Sequence, residues 1–138
     1  MIIDITEKKD TIELAKSLAK KVSIGKPILL YGTLGCGKTF FASHLIKTLT
    51  QSDISEQSPS FTIVQIYPYK SGQISHYDLY RIKDISELFE LDIEGSIQNN
   101  ITIIEWPEII EDYIKENFSP ICLYFTYENG KRYIEIKE

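Results

Sequence analysis

Arginine is nearly absent from this chain: of its 138 residues only Arg81 and Arg132 are arginines. A mobile lid that clamps a transferred phosphoryl group through several guanidinium forks is therefore hard to build, which argues against a small kinase. Cysteine is equally scarce. Cys36 and Cys122 match no metal-ligand spacing and are read as reduced cytosolic thiols. No apolar run approaches the ~20 residues that cross a bilayer, so no membrane association is expected. Met1-Ile2-Ile3-Asp4-Ile5 meets a charge too early for a signal peptide, and a cytoplasmic protein is expected. Basic charge is in deficit, with a formal net charge of −5 and a pI near 5.1, so there is no global footprint for nucleic acid. Repeats, low-complexity tracts and long linkers are also missing, and residues 1–138 read as one domain.

What is present is a phosphate-binding loop. Gly32-Thr33-Leu34-Gly35-Cys36-Gly37-Lys38-Thr39 is a complete G-x-x-x-x-G-K-T motif. It lies between the apolar run Pro27-Ile28-Leu29-Leu30-Tyr31 and a helix-compatible stretch with apolar residues at 41, 42, 45, 46 and 49. Glycines at 32, 35 and 37 let successive N–H groups converge on an anion, with the helix N-terminus adding its positive end. The backbone of Gly32, Leu34, Gly35, Cys36, Gly37 and Phe40 is expected to line the phosphates. Lys38 is expected to reach the β- and γ-phosphates, and the Thr39 hydroxyl to bind Mg²⁺. A nucleoside triphosphate is the expected ligand, and the absence of an N-K-x-D motif leaves guanine specificity unsupported.

The remaining chain mixes helix and strand signals. Thr6 or Asp10 is placed to cap a first helix bearing Ile12, Leu14, Ala15, Leu18, Ala19 and Val22 on its apolar face. Residues 51–60 read as a loop. Residues 61–67 and 73–78 read as a hairpin turned by Lys70-Ser71-Gly72. Residues 85–89 have helical spacing, 101–104 strand character, and 107–116 helical character with Pro107 in the first turn. Residues 121–127 and 132–136 flank Glu128-Asn129-Gly130 as a second hairpin. The expected fold is a three-layer α/β sandwich of the P-loop NTPase kind, with central parallel strands and antiparallel additions.

Hydrolysis requires acids beyond the loop, and ligands gather at the C-terminal ends of parallel strands. Glu105, closing Ile101-Thr102-Ile103-Ile104, is the first candidate for a second metal anchor, and Asp78, closing residues 73–77, is the second. The alternative for each is a solvated strand-end carboxylate. His76 reads as a half-exposed strand residue without a metal partner. Asp92-Ile93-Glu94-Gly95 matches the D-x-x-G of GTPases but follows a helical rather than a strand segment. Trp106 reads equally as core or as a wall of the site.

Together these residues resemble the TsaE (YjeE) family of bacterial tRNA threonylcarbamoyladenosine biosynthesis ATPases. The resemblance rests on residues 32–39, Ser58-Pro59-Ser60-Phe61-Thr62, His76-Tyr77-Asp78-Leu79-Tyr80-Arg81, Glu87-Leu88 and Ile104-Glu105-Trp106, in that order. It implies an ATPase that works with two partner subunits, of TsaB and TsaD type, to modify adenosine 37 of tRNAs reading ANN codons. The tRNA is met only indirectly, and ATP hydrolysis drives or resets the transferase complex.

Carried over by residue, the resemblance makes Lys38 the phosphate grip, Thr39 and Glu105 the Mg²⁺ ligands, Asp78 the catalytic carboxylate and Trp106 the active-site tryptophan. It places Thr11, and Lys131 or Arg132, beside the base, and makes residues 58–62 a switch facing the γ-phosphate. The chain departs from the family's usual residues at Thr33 (usually Asp), Cys36 (Ala), Phe40 (Thr) and Asp92 (Gly). Binding is less exposed to these changes than turnover, so a nucleotide-binding scaffold with little hydrolysis is one alternative, and a small P-loop kinase is the other.

Overall fold

The computed structural model describes residues 1–53, 62–70 and 72–138. Its elements run β1 (Ile2–Asp4), α1 (Lys8–Ala19), β2 (Ile28–Tyr31), α2 (Lys38–Thr50), β3 (Val64–Tyr69), β4 (Gly72–Asp78), α3 (Ser86–Glu90), α4 (Ile93–Asn99), β5 (Ile101–Glu105), a 3₁₀ turn (Pro107–Ile109), α5 (Glu111–Asn117), β6 (Ile121–Glu128) and β7 (Lys131–Lys137). The seven strands form one sheet in the order β1-β7-β6-β2-β5-β4-β3. Strands β6, β2, β5 and β4 run parallel, while β3, β7 and β1 add antiparallel edges.

The middle strand explains the layering. All four residues of β2 are buried, as expected for a parallel strand covered on both faces. Alternation sends Ile28 and Leu30 into a core with Leu14, Leu18, Phe41, Leu45 and Ile46 of α1 and α2. Leu29 and Tyr31 enter a second core with Leu88, Ile93, Ile97 and Ile114 from α3, α4 and α5. This is the expected three-layer sandwich with a parallel centre.

Several boundaries differ from the sequence expectation. Neither Thr6 nor Asp10 caps α1, whose N-cap is Glu7 with no side-chain cap bond. The Thr6 hydroxyl instead donates to Asp4 Oδ1 at 2.6 Å and accepts the Arg132 N–H at 3.1 Å, tying the end of β1 to β7. Asp10 falls inside the first turn, where its charge complements the helix dipole. Strand β3 starts at Val64, with Pro68 tolerated because the strand is a sheet edge. The helix expected over 107–116 is split at Ile110, whose φ of −115° interrupts helical geometry.

Helix α4 has no counterpart in the sequence expectation, and it explains the D-x-x-G lookalike. Asp92 occupies the left-handed region at φ 54° and accepts the Gly95 N–H through Oδ1, capping the helix. A Cβ on Gly95 would lie 2.3 Å from the Asp92 carboxylate, so the glycine makes room for the cap. The motif is a local cap rather than a nucleotide switch. The turn between β6 and β7 is as expected, with Asn129 and Gly130 both at positive φ.

Candidate functional site

The phosphate loop leaves the C-terminal end of β2 and enters α2, as a strand–loop–helix anion site requires. Gly32 turns it at φ 145°, and a Cβ there would meet Cys36 Sγ at 2.7 Å and the Phe125 carbonyl oxygen at 2.8 Å. No larger residue fits without moving backbone. Cys36 is buried beneath the loop, and burial pushes its thiol above the ordinary value, so it is a packed neutral side chain. Thr33 and Leu34 are exposed at the loop tip.

Lys38 is 4% exposed. Its ammonium donates to the Gly32 carbonyl and lies 3.5 Å from the centroid of the Trp106 ring. Burial pulls its pKa below that of an ordinary lysine; Cys36 and the carboxylates of Glu105, Glu108 and Asp78 act in the opposite direction. Trp106 reaches this position because the chain turns off β5 at φ 56°, a left-handed conformation costly for a bulky residue. Its backbone N–H donates to the Leu30 carbonyl at 3.3 Å, and its ring packs against Tyr80 with centroids 4.7 Å apart.

The two acids chosen from the sequence are neighbours. Asp78 and Glu105 stand opposite each other in the β4–β5 register, at the strand ends beside the loop. They are 5% and 1% exposed, so neither is a solvated strand-end carboxylate. Asp78 Oδ1 accepts the Tyr80 N–H at 3.0 Å. Glu105 Oε1 accepts the Thr39 hydroxyl at 3.0 Å. A hydroxyl and a carboxylate side by side are hard oxygen donors of the kind that suits Mg²⁺.

His76 departs from the sequence expectation. It is 1% exposed, and Nε2 lies 2.6 Å from Glu105 Oε2. The strand is interior to the sheet, between β3 and β5, and its two faces are covered from Ile74 onward, with Ile74 in one core and Tyr77 in the other. Its period-2 relation to Asp78 was the available signal: residues 74, 76 and 78 share one face.

Leu34, Gly35, Cys36, Gly37, Lys38, Thr39, Phe40, Asp78, Glu105 and Trp106 line one cavity of about 450 Å³, joined by Tyr80 and Arg81, which the sequence reading did not assign. Gly32 lies just outside that lining. A smaller cavity of about 120 Å³ brings together Thr6, Lys8, Thr11, Gly37, Phe40 and Arg132. Gly37 and Phe40 border both spaces. Thr11 and Arg132 therefore line one space at the end of the loop, whereas Lys131 is exposed outside this lining. Of the expected switch, residues 58–61 lie outside the described residues and Thr62 is exposed.

Residues 5–134 match the family model described as Threonylcarbamoyl adenosine biosynthesis protein TsaE. The chain belongs to the TsaE family. It is 36% identical over 134 residues to the tRNA threonylcarbamoyladenosine biosynthesis protein TsaE of Rickettsia typhi, covering 97% of this chain and 92% of that one. With the protein of the same name from Aquifex aeolicus it shares 36% identity over 105 residues, covering 75% and 74% of the two chains. The crystal structure of Bacillus subtilis YdiB superposes with a TM-score of 0.70 over 97% of this chain and 82% of that one, at 23% identity, a likeness of fold. As a TsaE family member with this loop, the chain is a P-loop nucleotide-binding protein. No helix among the described residues is long and apolar enough to cross a membrane.

Proposed function

We propose that this chain binds ATP with Mg²⁺ and hydrolyses it to ADP and phosphate in the biosynthesis of threonylcarbamoyladenosine at position 37 of tRNA. In this reading it serves two subunits of TsaB and TsaD type and meets tRNA only through them. The observation that carries the reading is the convergence of Lys38, Thr39, Asp78 and Glu105 on one cavity beside the loop. Loop N–H groups and Lys38 hold the phosphates, with Trp106 walling the site. Thr39 and Glu105 would hold Mg²⁺, which when bound supplies positive charge that stabilises the phosphate chain during transfer. Asp78 orients the attacking water. Thr11, Phe40 and Arg132 receive the nucleoside end, since their cavity adjoins the loop at Gly37. Membership of the TsaE family supports the pathway.

The pathway is tested by depleting a bacterium of its own TsaE and measuring threonylcarbamoyladenosine in its tRNA. This chain should restore the nucleoside and its Lys38→Ala variant should not; restoration by neither, with both well expressed, would contradict the proposal.

Because Glu105 is assigned to the metal, Glu105→Ala should weaken nucleotide binding in Mg²⁺ more than in EDTA, by roughly tenfold or more. Titration of a fluorescent ATP analogue under both conditions reads this directly. A full Mg²⁺ enhancement in the variant would make Glu105 a structural acid.

A further inference from the structure

The buried imidazole of His76 has no task in the chemistry above, yet it makes one of the shortest polar contacts in the molecule. Glu105 is held at both oxygens: Oε1 accepts from Thr39 at 3.0 Å and Oε2 lies 2.6 Å from His76 Nε2. The other ring nitrogen, Nδ1, is buried and has no partner among the described residues. Of the two neutral tautomers, this arrangement selects one. A proton on Nε2 serves the carboxylate, and leaving Nδ1 without one avoids a buried N–H with no acceptor.

An orphaned buried nitrogen is unfavourable, and the same sheet face nearby is built from Ile74 and Ile103. Packing alone is better served at position 76 by an aliphatic side chain, which leaves no polar atom unsatisfied. What the imidazole supplies, and an aliphatic side chain cannot, is the bond to Glu105.

We propose that His76 is a positioning residue for Glu105. By holding Oε2 it presents Oε1 to Thr39 and to the phosphate side of the cavity, and so strengthens binding of the metal–nucleotide complex without touching metal or nucleotide. The inference rests on the assignment of Thr39 and Glu105 to Mg²⁺.

The test compares affinity for a fluorescent ATP analogue in Mg²⁺ and in EDTA for the wild type, His76→Leu, His76→Gln, His76→Asn, Glu105→Gln and the His76→Leu/Glu105→Gln double variant. His76→Leu should lower the Mg²⁺ enhancement by roughly 10- to 100-fold, the usual cost of losing a group that orients a metal ligand, and leave affinity in EDTA within about twofold. His76→Gln should retain most of the enhancement, because its amide nitrogen reaches the place of Nε2. His76→Asn is too short and should not, which keeps the comparison decisive if His76→Leu fails to fold. In the Glu105→Gln background, His76→Leu should add nothing. Equal losses in Mg²⁺ and EDTA, or a full enhancement in both His76→Leu and His76→Asn, would overturn the inference. If Glu105→Gln itself keeps the full enhancement, the metal assignment fails; if it loses the enhancement while His76→Leu keeps it, only the role of His76 fails.

Discussion

Lys38→Ala is expected to weaken binding of a fluorescent ATP analogue by roughly 30- to 1,000-fold, about 2–4 kcal/mol. The magnitude follows from burial. Only 4% of Lys38 is exposed, so an interaction between its ammonium and a bound phosphate would be screened by little water. In the structure that charge is held by the Gly32 carbonyl and the face of Trp106. Nucleotide must draw it away from at least one of them, which costs part of the cation–π attraction of about 0.5–2 kcal/mol and brings the effect below that of a preformed ion pair. Alanine removes the charge and opens space beneath the indole, while Gly35, Gly37 and the N-terminus of α2 still offer N–H groups. Residual weak binding is therefore expected rather than none. Unchanged affinity would mean that the loop is not the nucleotide site.

Asp78→Asn is expected to act on turnover instead. A carboxylate that orients the attacking water or takes up its proton works mainly in the transition state, so kcat should fall roughly 10²- to 10⁴-fold with little change in ATP affinity. Asparagine keeps the shape and can still accept the Tyr80 N–H through its side-chain oxygen, which makes loss of charge the dominant change. The measurement is phosphate release and ATP-analogue binding on the same samples with the partner subunits present. If binding and Mg²⁺ dependence fall together, Asp78 belongs with the metal ligands. A wild-type rate would remove it from the chemistry.

The loop, its flanking strand and helix, and both acids were legible because each depends on local pattern: a glycine spacing, an apolar run, an acid closing a strand. Position in the sheet was harder to read. Strand β4, with Gln73, Ser75 and His76 among few aliphatics, looks like an exposed hairpin arm, yet it sits between β3 and β5 with both faces covered from Ile74 onward. Burial of His76 follows from that placement, which is set by long-range pairing rather than by its neighbours in the chain. Helix α4 was hidden for a different reason. Its cap uses Asp92 at φ 54° and a glycine inside the first turn, a pair that reads as a loop. Which of Lys131 and Arg132 shares a cavity with Thr11 was likewise hidden, because it depends on register: Arg132 pairs with Tyr127 in the hairpin and lines that cavity, and Lys131, one residue earlier at the turn, does not.

Hydrolysis of ATP in this cavity, in the service of TsaB- and TsaD-type subunits, is the step on which the proposed function stands. The most direct measurement is steady-state phosphate release from Mg²⁺–ATP by the wild-type chain, alone and with TsaB- and TsaD-type subunits from the same source, with Lys38→Ala in parallel. Release should rise when the subunits are added and vanish in the variant. Release no greater than that of the subunits alone, or equal release by Lys38→Ala, would contradict the proposed function.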